Sequence, residues 1–300
     1  MKKAGRLLVI AGPTAVGNTG SSVHLAKRLN AAVISADSRQ IYKEMKIGTA
    51  RITEDEMKGV PHYMTGNISL KEDFDAGLYE ARVIELLDEL FQENEQVILA
   101  GGTGLYIKAV IEGLDKFPEV PREVRELREQ EFSSIGLDNM LDELMKKDPW
   151  YYEKVDRSNP ARIIRAISVI DVSGEPFSKF LNQPKKPRDF DVRAAWLNLP
   201  KELLHERINA RVDEMLEDGL VEEVRELVRF REKQALQTVG YQEIFDFLDG
   251  KQSLEEAREL IITHTRQYAK RQVTWFKKYI PGPELDARNR QELDTFFTKN

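Results

Sequence analysis

Apolar positions along the chain recur with two different periods, and the two alternate. "RLLVIAG" (Arg6–Gly12) is an unbroken apolar run closed by glycine, as in a strand buried on both faces. Directly after it, Val23, Ala26 and Leu29 fall on one face of a helix. "AAVISAD" (Ala31–Asp37) is a second buried run, and it ends in an acid. Across "FDAGLYEARVIELLDELF", Val83, Leu86, Leu87 and Leu90 take helical spacing. "QVILAGGTGLY" (Gln96–Tyr106) reads as a third strand stopped by glycines, and "RAAWLNLP" (Arg193–Pro200) as a fourth. Strands alternating with helices predict an α/β fold with a parallel sheet flanked by helices. In such sheets ligands collect beyond the carboxyl ends of the strands. Gly12–Thr19, Asp37 and Thr103 all lie just past strand ends.

Between Gly113 and Asp191 the strand signal stops. "PREVRELREQEFSSIGLDNMLDELMKKDPWYYEKV" and "NPARIIRAISVI" read as helices. The expectation is an all-helical insertion domain, 114–190, set into a core made of 1–113 and 191–300. The insertion closes on the basic, proline-interrupted stretch "QPKKPRDF". More helices follow, the last opening at "SLEEARELIITHTRQYAKRQVTWFKK", where Ser253 and Glu256 have the spacing of a capping box.

Composition narrows the class. A chain of 300 residues buries a sizeable core and suits one large domain or two smaller ones. With 41% hydrophobic and 32% charged residues it reads as a soluble globular protein, and no apolar run reaches the roughly 20 residues that span a bilayer. "MKKAGRLLVIAG" has the lysines and short apolar run of a signal peptide. The run ends in a glycine loop instead of a cleavage site, so it reads as a buried strand. Zero cysteines exclude disulfides and thiolate zinc sites and fit a cytoplasmic protein. At a formal charge of −6, any nucleic-acid binding must come from local basic surface. No exposed heptad or apolar interface segment stands out, which favours a monomer.

"GPTAVGNTGSS" (Gly12–Ser22) follows the phosphate-loop pattern G-x-x-x-x-G-K-[S/T] at Gly12, Gly17 and Thr19 and departs from it at Asn18, where the lysine belongs. A glycine-rich turn can be a mere connection. Here the strand–loop–helix order, the step between the glycines and Thr19 at the helix start agree on an anion site. Gly12, Pro13, Thr14, Ala15, Val16, Gly17, Asn18 and Thr19 form the expected diphosphate cradle, with the helix dipole behind it and the Thr19 hydroxyl able to reach a magnesium ion. An isolated aspartate is usually an N-cap or solvated. Asp37, at a strand end beside this loop, is placed to accept a proton or hold a metal-bound water. Thr103 in "GGTGLY" either caps a helix or faces a ligand that the double glycine lets approach. Arg207 and Arg211 share a helical face near Glu206 and Asp213, and on spacing alone they read as solvated or paired. "RQYAKRQVTWFKK" carries Arg266, Lys270, Arg271, Lys277 and Lys278 without an acid. Arg266, Lys270 and Lys277 share a face suited to nucleic-acid phosphates, while Tyr268 and Trp275 are expected to pack inward. His24, His62, His205 and His264 show no metal-ligand spacing. These residues specify a P-loop NTPase-like α/β enzyme and leave kinase, NTPase and transferase open.

"GPTAVGNT", "ISADSRQIYKEMKIGTA", "GVPHY", "GGTGLYIKAV", "NPARIIRAI", "ERINARVDEMLEDGLVEEV", "LQTVGYQE" and "RQYAKRQVTWFKK" occur in an order that resembles the bacterial tRNA dimethylallyltransferases over nearly the whole chain. The resemblance implies transfer of a dimethylallyl group from dimethylallyl diphosphate to N6 of the adenosine 3′ to the tRNA anticodon, with Mg2+ as cofactor and diphosphate released. It makes Asp37, Thr103 and Arg211 catalytic, with Asp37 as general base or acceptor for the adenine amine. Thr14 and Arg211 would contact the diphosphate, reversing the bland reading of Arg211, and Thr19 would help hold the metal. It implies tRNA contacts at Asp37, Ser38, Arg39, Gln40, Thr103, Arg125, Ala161, Arg162, Ile163, Ile164, Arg165 and Gln237, joined by Arg266, Lys270 and Arg271. The insertion would grip the anticodon stem-loop, and the target base would leave its stack to reach Asp37. Asn18 departs from the family pattern. Losing a charge-assisted contact to a transition-state anion costs about 2–4 kcal/mol, or roughly 10²- to 10³-fold in rate. The alternatives are a silent tRNA-binding relative, which Asn18 would favour, and a small-molecule kinase on the same core.

Overall fold

The computed structural model describes residues 5–184 and 187–299; residues 1–4, Lys185 and Lys186 of "QPKKPRDF", and Asn300 lie outside it. The described residues form two compact units, 5–113 with 187–299, and 114–184. The return to the first unit comes at Pro187 instead of 191. Arg188 already belongs to it: Nε donates to the Val110 carbonyl at 2.8 Å, and Nη2 donates to the Ala109 carbonyl at 2.6 Å and to Glu80 at 2.7 Å.

The first unit runs β1 (Arg6–Ala11), α1 (Asn18–Leu29), β2 (Ala32–Ser35), α2 (Glu54–Met57), β3 (His62–Tyr63), α3 (Ala76–Glu93), β4 (Gln96–Gly101) and α4 (Gly104–Glu112). The second unit holds α5 (Arg122–Lys147), α6 (Pro149–Lys154) and α7 (Pro160–Ser173). The chain then continues in the first unit with β5 (Asp191–Asn198), α8 (Lys201–Glu217), α9 (Leu220–Glu226), α10 (Tyr241–Leu248), α11 (Leu254–Tyr279), β6 (Glu284–Asp286) and α12 (Arg290–Thr298). All pairings in the sheet are parallel, in the order β3-β2-β4-β1-β5-β6. The four apolar runs read from sequence are the four inner strands, and β3 and β6 cover the edges.

Register explains the continuous apolar runs. Leu7, Val9, Val97, Leu99, Ala194 and Trp196 face one layer, with Tyr79, Val83, Ile107 and Phe276 from the helices. Leu8, Ile10, Ile98, Ala100, Ala195 and Leu197 face the other, with Val23, Ala26, Ile208 and Phe297. Each fully buried aliphatic side chain contributes about 1.5–3 kcal/mol of transfer free energy, so this two-faced core fixes the strand ends on which the site is built. The predicted third strand is shorter than its apolar run: β4 stops at Gly101 and Tyr106 lies inside α4. The Ser253–Glu256 capping box opens α11, with Ser253 N donating to Glu256 at 2.7 Å and Glu256 N donating to Ser253 Oγ at 3.2 Å.

In the second unit Met140, Leu144, Ile163, Ala166 and Ile167 are completely buried. Its predicted first helix is broken at Gly136 (φ 80°) and again at Asp148, whose buried carboxylate caps α6 through Tyr151 N and also accepts from Ser178 N and Ser178 Oγ. Asn159 caps α7, Pro160 opens it, and Gly174 (φ 68°) ends it.

Candidate active site

Three adjacent strands, β2, β4 and β1, deliver the site residues at their carboxyl ends. Beyond β1 the chain turns through Gly12–Gly17 into α1. Gly17, at φ 108°, occupies the N-cap without any side-chain cap, so no capping side chain accepts from the first N–H groups of α1. Arg211 Nη1 lies 3.3 Å from Thr14 Oγ1, and Arg207 Nη1 donates to the Val16 carbonyl at 3.0 Å. Both arginines descend on the loop from α8, one helical turn apart. Burial lowers the pKa of Arg211, against the pull of Asp37, Glu214 and Glu56, with Arg207 lowering it further. Among the described residues neither guanidinium forms an ion pair. The solvated or paired reading fails for Arg211, which is largely covered and bonded to the loop, whereas Arg207 is exposed and also rests on the loop through the Val16 carbonyl.

Asn18 folds back across the loop. Its Nδ2 donates to the Gly12 carbonyl at 2.8 Å, and its Oδ1 is buried without a donor. A second polar strut comes from α11. Gln272, 7% exposed, accepts from Thr14 N at 3.0 Å and donates to the Gly102 carbonyl at 2.9 Å. A Cβ at Gly102 would meet Gln272 Nε2 at 2.4 Å, which is why glycine is needed there. Sequence reasoning missed Gln272 because its partners lie 170 and 258 positions away.

Beyond β2, Asp37 Oδ1 accepts from the backbone N–H groups of Arg39 at 2.8 Å and Gln40 at 3.2 Å, which aims the carboxylate and leaves Oδ2 clear of these bonds. Beyond β4, Thr103 sits at the N-cap of α4 but makes no side-chain cap bond. Its Oγ1 accepts from Ser38 N at 2.9 Å and donates to Ser38 Oγ at 3.2 Å, so it braces the turn that carries Asp37. Beneath lie Tyr79 and Tyr106, stacked with centroids 3.9 Å apart, with Tyr79 OH donating to the Ser35 carbonyl. Burial pushes both phenols up, so they stay protonated at neutral pH.

The candidate RNA contacts divide by unit. In the first, Gln40 spends its amide on the Thr49 and Ala50 carbonyls. The loop before those carbonyls is pinned by Glu223, which accepts from the backbone N–H groups of Lys46, Ile47 and Gly48 and from Tyr241 OH. Lys270 and Arg271 are exposed on α11, and Gln237 is exposed with its amide bonded to Arg231 and Gln242. Arg266 turns onto α8 and donates to Asn209 at 2.8 Å, so it leaves the expected stripe. Tyr268 is 39% exposed and under Arg271, not packed inward as expected, whereas Trp275 packs against the core. In the second unit Ala161, Arg162 and Arg165 are exposed, and Arg125 is exposed beside Glu129. Ile163 and Ile164 are corrected: α7 turns both side chains into the core of that unit, so they support the surface and do not present one.

A family model described as IPP transferase matches residues 40–279. The phosphate loop and Asp37 precede that span, but full-length relatives cover them. The chain is 48% identical over 291 residues to a tRNA dimethylallyltransferase of Cytophaga hutchinsonii, covering 97% of this chain and 96% of the relative. It is 45% identical over 295 residues to one of Christiangramia forsetii, covering 98% of each. Among solved structures, a full-length tRNA isopentenylpyrophosphate transferase from Bacillus halodurans superposes with a TM-score of 0.72 at 36% identity, over 97% of this chain and 95% of that one. A eukaryotic dimethylallyltransferase described as acting on tRNA superposes at 0.81 and 28% identity, over 98% and 76%. Sequence and fold agree, and the chain belongs to the IPP transferase family.

Proposed function

We propose that this enzyme transfers a dimethylallyl group from dimethylallyl diphosphate to N6 of the adenosine 3′ to the anticodon of tRNA and releases diphosphate. The observation that carries this reading is the Asp37 carboxylate, aimed by two backbone N–H bonds at the strand end next to an uncapped phosphate loop. The C–O bond to diphosphate breaks as the new C–N bond forms, and Asp37 takes the proton lost from the amine. Negative charge developing on the diphosphate is met by the loop N–H groups, the α1 dipole and Arg211. Thr103 keeps the Asp37 turn in place through Ser38.

Mg2+ fits this site as a substrate-borne ion. Among the described residues no three His, Asp or Glu side chains converge, so a cage made of protein alone is absent. The Thr19 hydroxyl and Asp37 carboxylate are the hard oxygen donors at hand, and magnesium commonly takes one or two protein ligands beside phosphate oxygens and water. The ion would neutralise charge on the diphosphate. The RNA would meet Arg39, Gln237, Lys270 and Arg271 of the first unit and Arg125, Ala161, Arg162 and Arg165 of the second. Among the described residues no helix is long and apolar enough to cross a membrane. A tRNA substrate and the absence of cysteine support action in the cytoplasm.

A single-turnover assay with radiolabelled dimethylallyl diphosphate, Mg2+ and unmodified tRNA tests the reading. Labelled tRNA is expected from the parent chain, with a loss of about 10²- to 10⁴-fold in single-turnover rate for Asp37→Ala. Absence of label from both the parent and Asn18→Lys, despite tRNA binding, would overturn it in favour of a binding protein.

A further inference from the structure

The phosphate loop of this chain carries no cationic side chain, because Asn18 stands at the lysine position and spends its amide on the Gly12 carbonyl. The cations stand on the neighbouring helix instead. Arg207 Nη1 donates to Val16 O at 3.0 Å and would lie 3.5 Å from a Cβ placed on Gly17, so the guanidinium sits against the loop at the start of α1. Arg211 touches the same loop at Thr14. Asp213, an acid two residues further along α8, is held by Arg258 at 2.6 Å. Arg266 approaches the same face through Asn209 and has no carboxylate partner among the described residues. Arg128, Arg188, Arg231, Arg258 and Arg288 each hold a carboxylate, which the two loop-facing arginines do not. Arg207 and Arg211 each bond the loop through Nη1 and, among the described residues, hold no carboxylate in an ion pair, so their remaining N–H donors are left for an anion, and arginine presents them in the geometry of phosphate oxygens.

We propose that Arg207 is a further diphosphate-binding residue and supplies the positive charge that position 18 lacks. In this chain the charge on the leaving diphosphate is met from α8, and Arg207 and Arg211 act as a pair across the loop mouth. The identity of the anion rests on the transferase reading above; the anion site itself does not.

The test is calorimetric titration of inorganic pyrophosphate, in the presence of Mg2+, into the full chain. The variants are Arg207→Gln, Arg207→Lys, Asn18→Lys and the double substitution Asn18→Lys/Arg207→Gln, with single-turnover transfer measured beside them. Glutamine keeps a donor for the Val16 carbonyl while removing the charge, which separates charge from loop support. Arg207→Gln is expected to weaken pyrophosphate binding by about 10-fold or more, with Arg207→Lys retaining most of the affinity. In the Asn18→Lys background the same change should shrink to roughly threefold, since the two charges substitute for each other. Pyrophosphate affinity that is absent in the parent, indifferent to Arg207→Gln, or equally reduced in both backgrounds overturns the proposal. A parent that binds pyrophosphate through Arg207 but labels no tRNA keeps the inference and removes the transferase reading. Labelled tRNA with Arg207-independent pyrophosphate binding does the reverse.

Discussion

The two units use polar groups in different ways. In the α/β unit, side chains near the sheet end are buried or half-buried and tied to backbone: Gln272 to Thr14 and Gly102, Thr103 to Ser38, Asn18 to Gly12. In the helical unit a small apolar cluster around Ile163 and Ile167 sits beneath an ionic network in which Arg128 bonds Glu131, Glu143 and Asp171. Groups that must hold a geometry to within tenths of an ångström are fastened to main chain. The ionic network of the helical unit pairs side chains with one another, a contribution that depends on pH and salt, while its buried Asp148 is fastened to main chain at Tyr151 N and Ser178 N.

The largest break in this comparison should come from Ile163→Ala. Truncating a fully buried side chain costs about 2–5 kcal/mol, and hydrogen exchange should report it in α7 while the β1 and β4 amides keep their protection. If α7 stays protected, Ile163 is not a core residue. Gln272→Leu strips two backbone groups of their partner, which costs about 1–3 kcal/mol for each that stays buried. Transfer should slow with it, since the loop loses its strut, and an unchanged single-turnover rate would leave Gln272 only structural. A pH series sharpens the contrast. Burial raises the Asp171 carboxyl, but hydrogen bonds from Arg128 and Lys147 outweigh it and hold the pKa below the usual aspartate range. A carboxylate with a depressed folded pKa stabilises the fold above its unfolded value of about 3.9 and loses that contribution as pH falls through the folded one. Exchange in α7 should therefore accelerate below about pH 4, and Asp171→Asn should flatten that response. The smallest effect belongs to the surface. The Lys270→Ala/Arg271→Ala pair should weaken tRNA binding and reduce its salt slope by about 1–2, with melting unchanged.

What could be read from sequence follows from the range of the interaction. The inner strands are six, four, six and eight residues long and announce themselves as apolar runs. The edge strands β3 and β6, two and three residues, carry no period to detect. The phosphate loop and Asp37 were legible because strand, turn and helix are contiguous. Arg207 was not. Spacing put it among acids, and only the fold reveals that Asp213 belongs to Arg258, 45 positions away. The Ile163–Ile164 pair shows the converse, since a motif match names a segment while helix geometry decides which of its side chains reach solvent.

Arg188 carries one further consequence. It ties the returning chain to the carbonyls of Ala109 and Val110, the last turn before the chain leaves the sheet unit at Gly113. Departure and return are thus stitched together by a fastening that belongs wholly to the catalytic half. The helical unit is inserted between two points that the sheet unit already holds together, so replacing it by a short loop is expected to leave the β1 and β4 amides as protected as in the parent.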